Sequence, residues 1–439
     1  MQHYFYALAD FIQSRLVANE LFTVWLSGEQ SDFVRFNHAK VRQAGNVKQA
    51  YLTLQLVQGQ KHISQTITLS NSTDIDNDTL ATVLKELRGA LADVQDDPHL
   101  LLSETVVNTD YSPASRLPDS ASMVADITRM AANTDLVGIL ASGDVFCGFA
   151  NSFGQRNWHQ TSSWNFDWSL YLREDKAVKR GGAGFEWSAA TLQSSLAEAQ
   201  SQLALLARSA KTIAPGQYRA YLTPTALVEL IGMLNWGGVS EKSLRNKQSA
   251  LEKLANGEQR FSPLFNLSNN VGAGLAPAFQ SAGFIKPEQV ELIRAGQLIG
   301  SLISPRTAKE YNLTSNAEDG EGAESFDMGA GVLPIANALK ALDTGLYISN
   351  LWYLNYSDRA MCRVTGMTRF ACFWVEQGEI VAPLNVMRFD DSLYRLLGSQ
   401  LEALTQEREF LTNAGTYGGR STDSQRIPGA LLAGINLVL

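Results

Sequence analysis

Residues Gly345 to Leu397 read GLYISNLWYLNYSDRAMCRVTGMTRFACFWVEQGEIVAPLNVMRFDDSLYRLL. Apolar residues alternate with polar ones through this block, which is the period of half-buried strands. The alternation carries Gly366-Met367-Thr368-Arg369, then Phe373-Trp374-Val375-Glu376-Gln377-Gly378-Glu379-Ile380, then Pro383 and Arg388-Phe389. From Gly345 to the terminus the chain is therefore expected to be mostly strand.

Upstream, Tyr218 to Leu222 reads as a strand that runs into Thr223-Pro224, a good helix start with Thr223 as the N-cap. The helix over residues 225–235 should stop at Gly237-Gly238. Before it, Ala214-Pro215-Gly216 interrupts the pattern, and the main boundary is placed at 205–216. This gives an N-terminal domain over 1–210 and a C-terminal domain over 211–439.

The N-terminal part opens with an amphipathic helix over 4–20. Strands are expected at 23–26, 32–36, 49–57 and 62–69, then a helix over 76–94 capped by Asp76 or Asp78. Residues 104–120 read as a connection and 121–133 as a helix. Residues 136–150 read as a strand pair turning at Ser142-Gly143-Asp144. An aromatic strand follows over 164–172, Gly181-Gly182-Ala183-Gly184 reads as a hairpin turn, and a long helix covers 190–209. The whole is an α+β pattern: an N-terminal antiparallel sheet with helices, followed by a strand-rich, barrel- or sandwich-like C-terminal domain.

Composition narrows the function. Hydrophobic residues at 45% and charged residues at 18% are ordinary for a globular chain of 439 residues. A formal charge of −8 without a basic run argues against direct nucleic-acid binding, which depends on Lys/Arg neutralisation of phosphates. Three cysteines are too few for a disulfide framework. With no basic-then-apolar leader in Met1-Gln2-His3-Tyr4-Phe5 and no apolar run of spanning length, a cytoplasmic protein without membrane contact is expected.

The quoted block resembles the C-terminal signature of the TldD/PmbA family, in which a Thr-Gly-Met-Thr-Arg run precedes a Glu-x-Gly-Glu-Ile run, a proline and an Arg-Phe pair. Asn151-Ser152-Phe153-Gly154, Ser304 to Tyr311, and Arg420 to Pro428 resemble further pieces of the family. The resemblance covers most of the chain weakly and the last hundred residues well. It implies a role in peptide proteolysis or maturation, and an older family name links it to DNA gyrase. In the catalytic branch, a helix equivalent to residues 224–236 carries His-Glu-x-x-x-His for Zn²⁺, and a late cysteine adds a ligand. Here the helix reads PTALVELIGMLNW, with Leu230, Ile231 and Asn235 near the motif positions and Glu229 its only ionisable residue. No histidine follows His159, so no register restores the motif.

The resemblance therefore implies a PmbA (TldE)-like subunit with no catalytic or metal-ligating residue of its own. Zinc is expected in a TldD-like partner, in a heterodimer enclosing a chamber for unfolded or modified peptides. A self-sufficient peptidase working through carboxylates such as Glu229, and a homodimeric peptide-binding protein, are the alternatives. The substrate-binding residues are not legible.

Other constellations are weaker. His3, His38, His62, His99 and His159 are dispersed, and His159 reads as a hydrogen-bonded surface residue or the lining of a cleft. Cys362 and Cys372 read as core thiols, with a metal or redox pair as the alternative. Glu318, Asp319, Glu321, Glu324 and Asp327 lack the spacing of a calcium loop and read as a solvated or mobile segment. No Gly-x-Ser-x-Gly elbow and no phosphate-binding glycine loop is present.

Overall fold

The computed structural model describes residues 1–173 and 176–438. The first helix, α1 (Gln2–Arg15), buries Phe5, Leu8, Ala9 and Ile12, a stripe at helical spacing. Three antiparallel strands follow: β1 (Leu21–Asn37), β2 (Lys40–Gln58) and β3 (Lys61–Thr68). Next come α2 (Thr73–Leu91), the short β4 (Thr109–Tyr111) and α3 (Ser120–Met130). Then come β5 (Leu136–Asn151), β6 (Arg156–Arg173), β7 (Lys176–Gly184) and α4 (Ala189–Leu206). The strands form one sheet in the order β3-β2-β1-β5-β6, with β4 and β7 both pairing with β6.

Several local expectations fail here. β1 is a single 17-residue strand, although its polar middle, Ser27 to Ser31, resembles a turn. Those residues pair with β2 on one side and β5 on the other, so their backbone groups are satisfied within the ladder. Likewise β5 does not turn at Ser142-Gly143-Asp144. Gly143, at φ +133°, stays in the strand where a Cβ would collide with the Gln30 carbonyl. Gly181 to Gly184 are strand rather than turn, and the absent side chain at Gly182 makes room for the Trp164 ring. The cap of α2 is Ser72, not Asp76 or Asp78. Asp76 is instead buried, accepting from the Ser70 amide at 3.0 Å and from the Tyr4 hydroxyl.

The two faces of this sheet differ sharply. Phe22, Val24 and Leu26 of β1 pack under α1 and α2. Val34 and Phe36, on the same face, pack with α3 and α4. The opposite face carries Thr23, Trp25, Ser27, Glu29 and Ser31, and it looks towards the second half of the chain.

That half begins with β8 (Gly216–Leu222) and α5 (Pro224–Met233). The strands β9 (Leu267–Asn270), β10 (Gln289–Arg294), β11 (Gln297–Leu298) and β12 (Ser325–Met328) follow. The block around Gly345 forms β13 (Gly345–Ile348), β14 (Asn350–Asp358), β15 (Arg363–Arg369), β16 (Phe373–Glu376), β17 (Glu379–Pro383) and β18 (Arg388–Ser392). Two long strands, β19 (Leu401–Thr412) and β20 (Ser424–Leu437), complete it. All thirteen join one mixed sheet, whose main path runs from β11 through β20, β8 and β13 to β17. Among the described residues this sheet is open at both ends and does not close into a barrel. A large core of Leu227, Leu230, Ile231, Phe265, Phe389 and Leu397 with their neighbours fills its interior. No helix among the described residues is long and apolar enough to cross a membrane.

Candidate functional site

The inward face of the first sheet is polar yet buried. On β6, Asn157, His159, Thr161, Ser163 and Asn165 are each below 10% exposed. Such residues are rarely buried without partners; Asn157 finds its own in the Val107 carbonyl and the Thr109 hydroxyl, while loops of the second half reach others. The imidazole Nε2 of His159 donates to the Leu275 carbonyl at 3.0 Å, and Gln155 donates to the Gly283 carbonyl at 2.9 Å. Phe279 packs edge-on against Trp25 at 5.6 Å. The Arg420 guanidinium reaches the Gly143 carbonyl at 3.1 Å and the Ser163 hydroxyl at 2.7 Å. Burial brings that guanidinium down to about 10, against the pull of Glu29 and Asp144. The second half thus roofs the sheet.

Between roof and sheet lie clefts. One of about 410 Å³ runs between β1–β3 and the start of the helix Pro305–Tyr311. Another, of about 610 Å³, lies beneath the segment 413–422. A third, again about 410 Å³, separates β6 and β7 from α5. These volumes match those of peptide- and small-molecule-sized sites, roughly 300–1,000 Å³.

The third cleft is formed by the helix singled out in the sequence. Thr223 caps it, its hydroxyl accepting from the Ala226 amide at 3.2 Å, and Pro224 occupies the first turn. Leu227, Leu230 and Ile231 are fully buried in the core. Two of the positions expected near the metal motif, Leu230 and Ile231, therefore face away from the cleft. The third, Asn235, grips the backbone of Ala323 through both amide atoms, at 2.9 and 2.6 Å. Besides Asn235, the side chains of this segment that line the cleft are Thr225, Val228 and Glu229. Glu229 is open to solvent, yet the concave walls around it are close enough that burial raises its carboxyl above the ordinary range.

The acidic segment is neither solvated nor loose. Lys286, with a 1% exposed side chain, approaches Glu324 at 2.6 Å and Glu318 at 3.8 Å. Burial pushes Glu318 up to about 7, against the pull of Lys286. Burial would also raise Glu321, but it accepts from Ser240 at 2.6 Å and from the Lys242 and Ser304 amides at 2.8 and 2.9 Å. These bonds win, and its carboxyl is held below the usual range. Asp327 accepts from Arg408 and from Asn270. Each of these carboxylates except Asp319 has a side-chain or backbone partner within the fold, which no sequence pattern announced.

His159 is not a surface residue. It is 7% exposed, and burial pushes it down to about 4 despite the Leu275 carbonyl. Its register partner on β5 is Cys147, whose thiol burial pushes up to about 12. Both groups are neutral near pH 7, whereas a cysteine nucleophile must be a thiolate. Cys362 and Cys372 are buried and free. The structure does bring His62 and His99 to one cleft wall, where His62 meets Asp97 at 3.2 Å and Asp97 meets Arg306. Among the described residues no three His, Cys, Asp or Glu side chains are arranged to hold a metal ion.

A sequence profile of the PmbA/TldA metallopeptidase C-terminal domain matches residues 215–438, just over half of the chain. Among curated proteins none matches the sequence. In three dimensions the chain resembles TldE from Thermococcus kodakarensis, with a TM-score of 0.81 at 12% identity over 99% of this chain and all of that one. A Thermotoga maritima protein named for modulation of a DNA gyrase superposes with a TM-score of 0.78 at 13% identity, over 99% and 100% of the two chains. A similarly named protein from Bacteroides thetaiotaomicron gives 0.76 at 14%, over 99% and 98%. At these identities the superpositions show a shared fold, and the profile match supplies the kinship: the chain belongs to the TldD/PmbA family.

Proposed function

We propose that this chain is a peptide-binding subunit that does not hold zinc and that pairs with a zinc-bearing homologue to hydrolyse or mature unfolded or modified peptides. The observation that carries the reading is the third cleft, where α5 presents Thr225, Val228 and Glu229. Zinc, which the catalytic branch of the family implies, does not fit this set. Glu229 is the only carboxylate of the three, and the cleft's Asp167 and Glu324 are held by Lys179 and Lys286, whereas a stable site needs three or four converging N, O or S donors. The chain's own residues would instead shape the enclosure: the roofed sheet face offers hydrogen-bonding side chains, and the clefts exclude bulk water from an extended chain. The fold shared with TldE is consistent with this role.

Purification from the native host tests the pairing. Co-elution with a homologue that keeps His-Glu-x-x-x-His supports it, and a lone homodimer would favour an independent peptide-binding protein instead.

A further inference from the structure

Among the described residues, several buried hydrogen-bonding atoms of side chains lining the cleft at α5 have no partner. Asn165 lines it, is only 6% exposed, and leaves its amide Nδ2 without an acceptor. Arg180 Nε on β7 and Gln425 Oε1 on β20, which also line it, are buried and likewise unpartnered among the described residues. A buried polar atom left unmade is costly. A cleft presenting free donors and a free acceptor together suits a ligand that both accepts and donates, as peptide backbone does.

The charges of the cleft are also unbalanced. Lys179 is committed to Asp167 at 2.6 Å, and Arg180 to Gln202 at 3.1 Å and Glu198 at 3.8 Å. Glu324 is neutralised by Lys286. Among the described residues, Glu229 on the helix wall and the exposed Asp423 have no cation within ion-pair distance. Burial alone acts on the Glu229 carboxyl, with no opposing charge beside it. Such a carboxylate in a concave wall gains most from a cation that brings its own charge into the cleft.

We propose that this cleft holds an extended peptide segment whose lysine or arginine side chain pairs with Glu229. The inference rests on the reading that the chain binds peptides, and gives that binding a preference.

Two short unstructured peptides test it. Both are N-acetylated, so that no terminal amine can substitute for the side chain. They differ at one position, lysine in one and norleucine in the other. Binding to the full chain is followed by fluorescence anisotropy, with circular dichroism melts to confirm that each variant is folded. The lysine peptide should bind the wild-type chain about tenfold more tightly, equal to about 1.4 kcal/mol. Glu229→Gln should bind both peptides alike, at the norleucine level, and Asp423→Asn should keep the preference. Equal binding of both peptides by the wild type, or a preference that survives Glu229→Gln, overturns the assignment while leaving peptide binding standing. A preference lost in Asp423→Asn but not in Glu229→Gln overturns it too. If neither peptide binds, the reading beneath it fails as well.

Discussion

His159 and Glu318 both feel the charge of Lys286, and pH should act on their contributions to stability in opposite directions. The unfolded chain protonates the His159 ring near pH 6.5, whereas the folded protein, with the ring pushed down to about 4, resists it. The stability this contributes is complete above pH 6.5 and is lost as pH falls towards 4. Glu318 runs the other way. Its folded carboxyl keeps a proton up to about pH 7 that the unfolded chain releases near 4.5. Its contribution is complete below pH 4.5 and is lost as pH rises through 7. Thermal melts across this range should therefore show a shallower acid-side loss in His159→Gln, whose amide can still reach the Leu275 carbonyl. Glu318→Gln should flatten the fall between pH 4.5 and 7. An unchanged acid limb in the histidine variant would contradict its neutral, buried state. Lys286 is a sterner case, because replacing it strands Glu324 without its cation. Lys286→Met should cost about 3–5 kcal/mol in urea unfolding, with partial recovery when Glu324→Gln is added.

Among the elements, α5 shows what the sequence discloses. Its start at Thr223-Pro224 and its stop before Gly237 follow from local chemistry, since caps and proline positions act within a turn. β3 and the strand-rich block around Gly345 were likewise legible, because alternation is local. The long strands β1 and β5 were not. Their Ser/Gly/Asp-rich middles are turn-like by propensity, and only pairing on both sides overrides it. The acidic segment misled for the same reason: its carboxylates are claimed by Lys286, Ser240, Asn270 and Arg408, from four separate parts of the chain. The facing of α5 is testable by substitution. Leu230→Ala should destabilise by about 2–5 kcal/mol through the cavity it leaves. Thr225→Ala, on the cleft side, should stay within about 0.5 kcal/mol. Equal costs would mean the helix is rotated from the position described.

At the scale of the molecule, the candidate site exists only because the second half of the chain covers the polar face of the first sheet. Arg420 is one fastening, joining the segment between β19 and β20 to carbonyls of β5 and β6. Arg420→Ala should speed amide hydrogen exchange across residues 413–422 while leaving β8 and α5 protected. Uniform loss of protection would instead mean that the contact holds the two halves together globally.

The central claim is that these halves build an enclosure for peptide without a metal centre of their own. Metal content and cleavage of an unstructured peptide, measured side by side, test it most directly. Samples should be the purified chain alone and the chain joined to a homologue that keeps His-Glu-x-x-x-His. The account predicts no stoichiometric zinc and no cleavage for the chain alone, with both appearing in the pair. One zinc per chain, together with cleavage by the isolated protein, would contradict it.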